Sequence, residues 1–382
     1  MLKAVIFDMD GVLVDSELVF FEANRLLMES LDKEFNKEYN KQFVGTTCDY
    51  MWKKIIEDYS LQVSVEYMDR EGARIVKELL KAGGFPPVPF SGEFVKRLNG
   101  KVKLAIASSS SIASIERNME QLGLRKYFDK VVSGVTVDKP KPAPDVFLKA
   151  AEELGVKPEE CLVIEDSCNG VKAAKAAGMA CIGYVNPNSG EQDLSEADCL
   201  LLGFEEAGFD FVEKVYNHTF DIPYTVAETD RLYVVEMSDD DYDVFKELVE
   251  KEDVTKITGL TKKDYDRTLG NKEYMKSHRE TMYKFYSLGI WALKLKGSED
   301  IVGFAGVDEN LNLCYIIDEK FRGKGFCKEA VSRIIKYVFE ITGEKCIFAK
   351  VSEDNAASVK VVKTLGFEQI GPDLWKDEKR DE

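Results

Sequence analysis

Histidine is nearly absent from this chain of 382 residues: only His218 and His278 occur. A histidine-based zinc site or a Ser-His-Asp triad is therefore not expected, and any chemistry falls to carboxylates, hydroxyls, lysines and backbone groups. The eight cysteines, at 48, 161, 168, 181, 199, 314, 327 and 346, form no CxxC pair. Several sit in apolar, strand-like runs, which predicts reduced and mostly buried thiols. No run of about 18 apolar residues exists, and the N-terminal MLKAVIFDMDG is an apolar run broken by aspartates rather than a signal peptide. A cytoplasmic location is expected. Positive charge is short as well: 52 Lys and Arg stand against 69 Asp and Glu, a formal net charge of −17. That surface disfavours nucleic acid while leaving room for a local basic pocket.

What is present is a composition able to build globular cores, at 45% hydrophobic and 11% aromatic. Its length suggests two or three domains. Short apolar runs at 3–7, 103–107, 130–133, 161–164 and 180–184 alternate with helical patterns such as 143–154 and 169–177. This predicts an α/β domain whose parallel sheet is covered on both faces, with its site at the carboxyl ends of strands. A charged, almost wholly helical stretch at about 16–85 interrupts the alternation and reads as a cap over that site, with 83–89 as its return hinge. The pattern changes again near 208–224. Helices at about 240–251 and 261–288, strands at 289–295, 301–308 and 313–317, a helix at about 325–342, a strand at 345–351 and a helix at 356–365 then predict a separate α+β domain. The charged tail after Trp375 is expected to be frayed and solvated.

Four polar signals follow the strands of the first domain. DMDGVLVDS at 8–16 ends an apolar strand on Asp8, with Asp10 two residues on and Gly11 permitting a sharp turn. One carboxylate can attack phosphorus and another can protonate the leaving oxygen and then activate water. A divalent cation would let the anions meet, and magnesium suits oxygen ligands and phosphate. Then come a serine run at 108–111, whose hydroxyls and N–H groups can hold phosphate or cap a helix, and KPKPAPD at 139–145, whose Lys141 can neutralise it. The fourth, VIEDS at 163–167, adds Glu165 and Asp166, which would repel Asp8 and Asp10 without a cation.

In this order the signals resemble the haloacid dehalogenase superfamily over about 1–215, in the subgroup with a small helical cap that includes β-phosphoglucomutase and phosphoglycolate phosphatase. The resemblance implies a Rossmann-like parallel sheet, Asp8 as nucleophile and Asp10 as general acid/base. It implies phosphate binding by Ser108, Ser109 and Lys141, and magnesium held by Asp8, the Asp10 carbonyl and Asp166 with Glu165 nearby. Two positions depart from the mutase pattern: Phe20 stands where a cap histidine is expected, and Cys48 where an arginine follows the turn at 45–47. Both favour hydrolysis of a small phosphorylated metabolite, with a sugar-phosphate mutase as the alternative.

The second domain carries YIIDEKFRGKGFCKEA at 315–330, a strand entering a glycine loop that opens a helix. Glycines let N–H groups face an anion at the helix start, which makes a pyrophosphate cradle by composition. It is not GxxxxGK[ST], so a nucleoside-triphosphatase loop is excluded. With DNAAS at 354–358, Gly366-Phe367 and TDRL at 229–232, the segment 229–376 resembles the GNAT acetyltransferases, in the branch that includes ribosomal-protein N-terminal acetyltransferases. Residues 216–228 read as the linker. The resemblance implies acetyl-CoA contacts from Arg322, Gly323, Gly325, Cys327, Asn355 and Ser358, and acetyl transfer to an amine on a small molecule or peptide N-terminus. The tyrosine acid of many relatives is replaced by Val362; the alternatives are Ser358 as the acid or a thiolate that leaves unaided, and Glu236, Asp308 and Glu309 are possible bases. A regulatory module that binds acetyl-CoA without transferring it is the alternative.

Overall fold

The computed structural model describes residues 1–43, 46, 48–81, 84–251 and 271–379. The chain divides into two units, Met1–Phe220 and Asp221–Glu382. The helix Phe209–Thr219 and the strand Thr225–Glu228 occupy most of the span expected to be linker.

Among the described residues, the first unit builds a six-stranded parallel sheet: β1 (Ala4–Phe7), β2 (Lys103–Ser108), β3 (Lys130–Ser133), β4 (Cys161–Glu165), β5 (Ala180–Tyr184) and β6 (Cys199–Leu201), in the order β3-β2-β1-β4-β5-β6. Alternation explains the central strand: Val5 and Phe7 face one core and Ala4 and Ile6 the other, so all four are buried. Phe7 meets Phe94 and Phe128 edge-on, at ring-centroid distances of 5.9 and 5.8 Å. The strand order reverses beside β1, bringing the ends of β1, β2 and β4 together at one switch point.

Helices Ser16–Glu29, Cys48–Asp58 and Val65–Lys81 form the expected cap around its own core of Leu27, Met28, Trp52, Ile55 and Met68. Its long helix comes close to Trp52 at Gly72, where a Cβ would sit 3.3 Å from the indole. The return segment runs beside the first loop: Asp15 N donates to Pro86 O and Val88 N to Leu13 O. Residues 45 and 47 of the expected cap turn, and 83 of the hinge, lie outside the described residues.

The second unit holds an eight-stranded sheet among the described residues: β7 (Thr225–Glu228), β8 (Leu232–Glu236), β9 (Ile290–Leu295), β10 (Ile301–Val307), β11 (Asn312–Ile317), β12 (Cys346–Lys350), β13 (Glu368–Gln369) and β14 (Leu374–Glu378). Their order is β13-β14-β12-β11-β10-β9-β8-β7. The expected meander is β9-β10-β11, antiparallel throughout. Two expectations need correction. The segment after Trp375 is not frayed as far as Glu378, because β14 pairs with all five residues of β12. The long helix expected over 261–288 is a helix Lys272–Arg279 followed by a π-turn Glu280–Tyr286, and 261–270 lie outside the described residues.

Candidate functional sites

At the end of β1, Asp8 N donates to Ile164 O at 3.0 Å, which fixes the aspartate beside the end of β4. The chain then turns so tightly that Leu13 N and Val14 N both donate to Met9 O, with Gly11 at φ +80°. Asp10 leans toward β2, where Ser110 Oγ donates to its Oδ2 at 2.9 Å and Ser108 Oγ at 3.3 Å. Ser108 Oγ accepts from Ser110 N, and Ser133 Oγ at the end of β3 donates to Ser110 O. Ser109, expected with Ser108 as a phosphate ligand, is exposed, and Ser110 joins Ser108 in reaching Asp10.

Lys141 closes the other side. Its Nζ donates to Asp8 Oδ1 at 2.6 Å and Glu165 Oε1 at 2.5 Å, while its ammonium lies 4.8 Å from the centre of the buried Phe147 ring. Glu165 is fully engaged, since its Oε2 accepts from Ser167 N and Oγ. Asp166 takes a hydrogen bond from Ser189 Oγ at 2.5 Å, and Asn186 Nδ2 donates to Gly11 O at 2.8 Å. The turn after β5 therefore ties the first loop to Asp166, a connection that the sequence reading missed.

Burial pushes the Asp8 carboxyl well above the usual range; Lys141 opposes this, while Glu165, Asp10 and Asp166 add to it. Asp166 is pushed up to about 7 by burial and Glu165, against Ser189 and Lys141. Burial alone would lower Lys141, but Asp8 and Glu165 outweigh it and the ammonium stays charged. These are two buried oxygen donors, Asp8 and Asp166, crowded by other carboxylates, which is the chemistry a hard divalent cation relieves. Among the described residues no three Asp, Glu, His or Cys side chains converge as a metal cluster.

Beside this centre opens a cleft of about 930 Å³ lined by cap and sheet-domain residues, among them Glu17, Phe20, Cys48, Trp52, Phe85 and Arg117. Phe20 is 41% exposed and packs its ring 5.9 Å from that of Phe85. Cys48 is exposed.

In the second unit, β11 and β12 run parallel but pair only at Asn312↔Phe348 and Leu313↔Ala349. Past that point they splay, and a cavity of about 720 Å³ opens along Tyr315, Ile317, Gly323, Cys327, Asn355 and Ser358. Gly323 at φ +74° and Gly325 at φ +82° carry the chain into the helix Phe326–Thr342, so the loop needs residues free to adopt left-handed backbone. Arg322 also lines the cavity, and its Nε donates to Ile317 O. Asn355 Oδ1 accepts from Ser358 N and caps the helix Ala356–Leu365, and Tyr315 Oη reaches Ser358 O at 3.4 Å. Arg231 braces the glycine loop through Glu329 and Lys324 O, a role that its position in TDRL did not disclose. Of the possible bases, Asp308 accepts from Asn310 N, Asn312 N and Asn312 Nδ2 and so braces a turn, Glu309 is exposed, and Glu236 is buried. Val362 is fully buried in the core and offers no proton.

Among known proteins, the family model described as haloacid dehalogenase-like hydrolase matches residues 5–184, and the acetyltransferase (GNAT) domain model matches 231–368. The chain is 37% identical over 206 residues to a phosphorylated carbohydrates phosphatase of Thermotoga maritima, covering 53% of this chain and 94% of that protein. It is 34% identical over 175 residues to a fructose-1-phosphate phosphatase of Escherichia coli, covering 46% and 92%. It is also 32% identical over 189 residues to a β-phosphoglucomutase of Bacillus subtilis, covering 48% and 83%.

Proposed function

We propose, on the premise that the chain belongs to the haloacid dehalogenase-like hydrolases and carries a GNAT acetyltransferase domain, that it is a bifunctional enzyme. Its first activity is removal of phosphate from a small phosphorylated metabolite with magnesium. Its second is transfer of acetyl from acetyl-CoA to an amine. The observation that carries the first is the pairing of a Lys141-held Asp8 with an Asp10 oriented by Ser108 and Ser110.

Asp8 attacks the phosphoryl group and forms an aspartyl phosphate. Asp10 gives its proton to the departing oxygen and then takes one from the water that cleaves the acyl phosphate. Lys141 balances charge on Asp8 and the incoming phosphate, and Ser108 holds a phosphoryl oxygen. Asp8, the Asp10 carbonyl and Asp166 would hold Mg²⁺, which when bound neutralises the approaching anions. Glu165 acts by positioning Lys141. The phosphatase relatives are named for phosphorylated carbohydrates and fructose 1-phosphate, which supports a hydroxyl-rich substrate. Phe20 disfavours the mutase reading: it lines the cleft and carries no exchangeable side-chain proton.

In the second unit, the N–H groups of the glycine loop would take the pyrophosphate of acetyl-CoA. The edge of β11 that faces away from β10 and has no β12 partner past Leu313 would pair with its amide arm, beside Asn355 and Ser358. The splay of β11 from β12 supports this reading.

The test is phosphate release from a panel of metabolites with Mg²⁺, without it, and with Asp8→Asn, alongside direct binding of acetyl-CoA. Asp8→Asn is expected to lower phosphate release at least about 10³-fold while acetyl-CoA still binds. Sustained release by pure Asp8→Asn protein defeats the mechanism. Saturable acetyl-CoA binding without turnover across an amine panel selects the non-catalytic module instead.

A further inference from the structure

Glu17 stands in the first turn of the helix Ser16–Glu29 and lines the phosphatase cleft. The groups that act on it are burial, Asp15 and Asp10, all pushing its carboxyl upward, to about 7. No cation or hydrogen-bond donor among the described residues opposes them. Two residues earlier, Asp15 is 4% exposed; its Oδ2 takes Asn188 Nδ2, but its Oδ1 has no hydrogen-bond partner. The cations of the cleft, Lys77, Lys81 and Arg117, are exposed side chains on other helices, and Lys81 is paired with Glu78.

The two parts of the site thus ask for opposite charges. Lys141 and the expected cation serve a phosphate. At the start of the cap helix Asn188, the Leu18 backbone and Lys37 favour the Asp15 carboxylate, whereas no group among the described residues neutralises Glu17. A substrate hydroxyl would satisfy one oxygen of Glu17 and leave the charge; an ammonium would satisfy the oxygen and cancel the charge, with the greater strength of an ionic hydrogen bond. Independently, the same chain carries a GNAT domain, whose acceptor is an amine.

We infer that the leaving group of the phosphatase reaction carries a protonated primary amine held by Glu17, so that the substrate is an amino-sugar phosphate or a similar amino-alcohol phosphate. This rests on the phosphatase reading above. Acetylation converts the ammonium to a neutral amide and removes the contact. Phosphate removal therefore comes first, and an N-acetylating reaction consumes its product.

The test measures kcat/KM for phosphate release by the full chain with Mg²⁺. The probes are glucosamine 6-phosphate and glucosamine 1-phosphate, each against the matching glucose phosphate, with N-acetylglucosamine 6-phosphate and p-nitrophenyl phosphate alongside. At least one amino sugar is expected to exceed its parent sugar by about tenfold or more, the scale of one charge-assisted hydrogen bond, and N-acetylglucosamine 6-phosphate to fall by a similar factor from its free amine. In Glu17→Gln the ratio of amino sugar to parent sugar is expected to collapse toward one. Equal rates for amino and parent sugars in the wild type overturn the inference. So does a ratio that survives Glu17→Gln, because a carboxylate that only stabilises the helix start would lower both substrates together. Release from p-nitrophenyl phosphate with no amine preference rejects the amine while leaving the phosphatase standing. No release from any probe rejects both.

Discussion

Lys141 Nζ lies 2.6 Å from Asp8 Oδ1, with both side chains only 9% exposed, and the same ammonium reaches Glu165. One cation thus joins the ends of the first and fourth strands. Removing it leaves carboxylates buried side by side. Breaking a buried ion pair from one side costs about 3–5 kcal/mol, and proton uptake by the acids limits that loss. Lys141→Met is expected to lower the unfolding free energy of the metal-free protein by about 2–4 kcal/mol at neutral pH. Adding Mg²⁺ should restore part of it, and phosphate release should fall at least about 100-fold. Urea unfolding with and without Mg²⁺ checks the first two points. An unchanged midpoint would show that the triad carries no stability.

Gly11 makes a second prediction. At φ +80° a Cβ there would fall 1.8 Å from Asp166 Oδ2. Gly11→Ala must therefore shift the loop or the carboxylate, and both belong to the site. The expected result is phosphatase loss of at least about 100-fold and weaker Mg²⁺ binding by calorimetry, with acetyl-CoA binding intact.

The parallel sheet was legible because buried strands read as continuous apolar runs, and the four polar signals fall at strand ends where the fold converges. β6 was not legible: three residues leave no period to read. β14 was hidden by its charges, since of LWKDE only Trp375 is buried and the other four lie partly or wholly at the surface. In the site, the serine run named the right loop but could not say which hydroxyls reach Asp10, because local spacing does not fix side-chain direction. Ser189 and Asn186 lay beyond reach for another reason. They act on Asp166 and Gly11 through tertiary contact, and their only sequence signal is a short polar turn after a strand.

Glu17 predicts a pH dependence with a definite sign. Its ordinary pKa is 4.5 and its folded value about 7, so between these the folded chain holds a proton that the unfolded chain has released. The stability this provides is complete below 4.5, declines as pH rises, and is gone above 7. Glu17→Gln cannot titrate. Its stability relative to the wild type should therefore rise from pH 4.5 to pH 8, by about 1–2 kcal/mol after allowance for solvent screening. Urea unfolding of both proteins at the two pH values measures the difference. A variant that loses ground toward pH 8 contradicts the assignment.

The cysteines separate the two sites experimentally. Cys48 is exposed and lines the phosphatase cleft. Cys314 and Cys327 line the cavity of the second unit, and burial pushes both thiols up to about 12. Only thiolate reacts quickly, so alkylation at pH 8 should modify Cys48 first and leave the other two slow. Coenzyme A should slow Cys314 and Cys327 further by filling their cavity, without protecting Cys48. Peptide mass spectrometry after timed iodoacetamide treatment reads all three. Replacing Cys327 with tryptophan fills the same cavity, and should abolish coenzyme A binding while phosphate release continues within about twofold. If coenzyme A protects neither cavity cysteine, it binds elsewhere, and the glycine loop between Arg322 and Cys327 loses its assigned ligand.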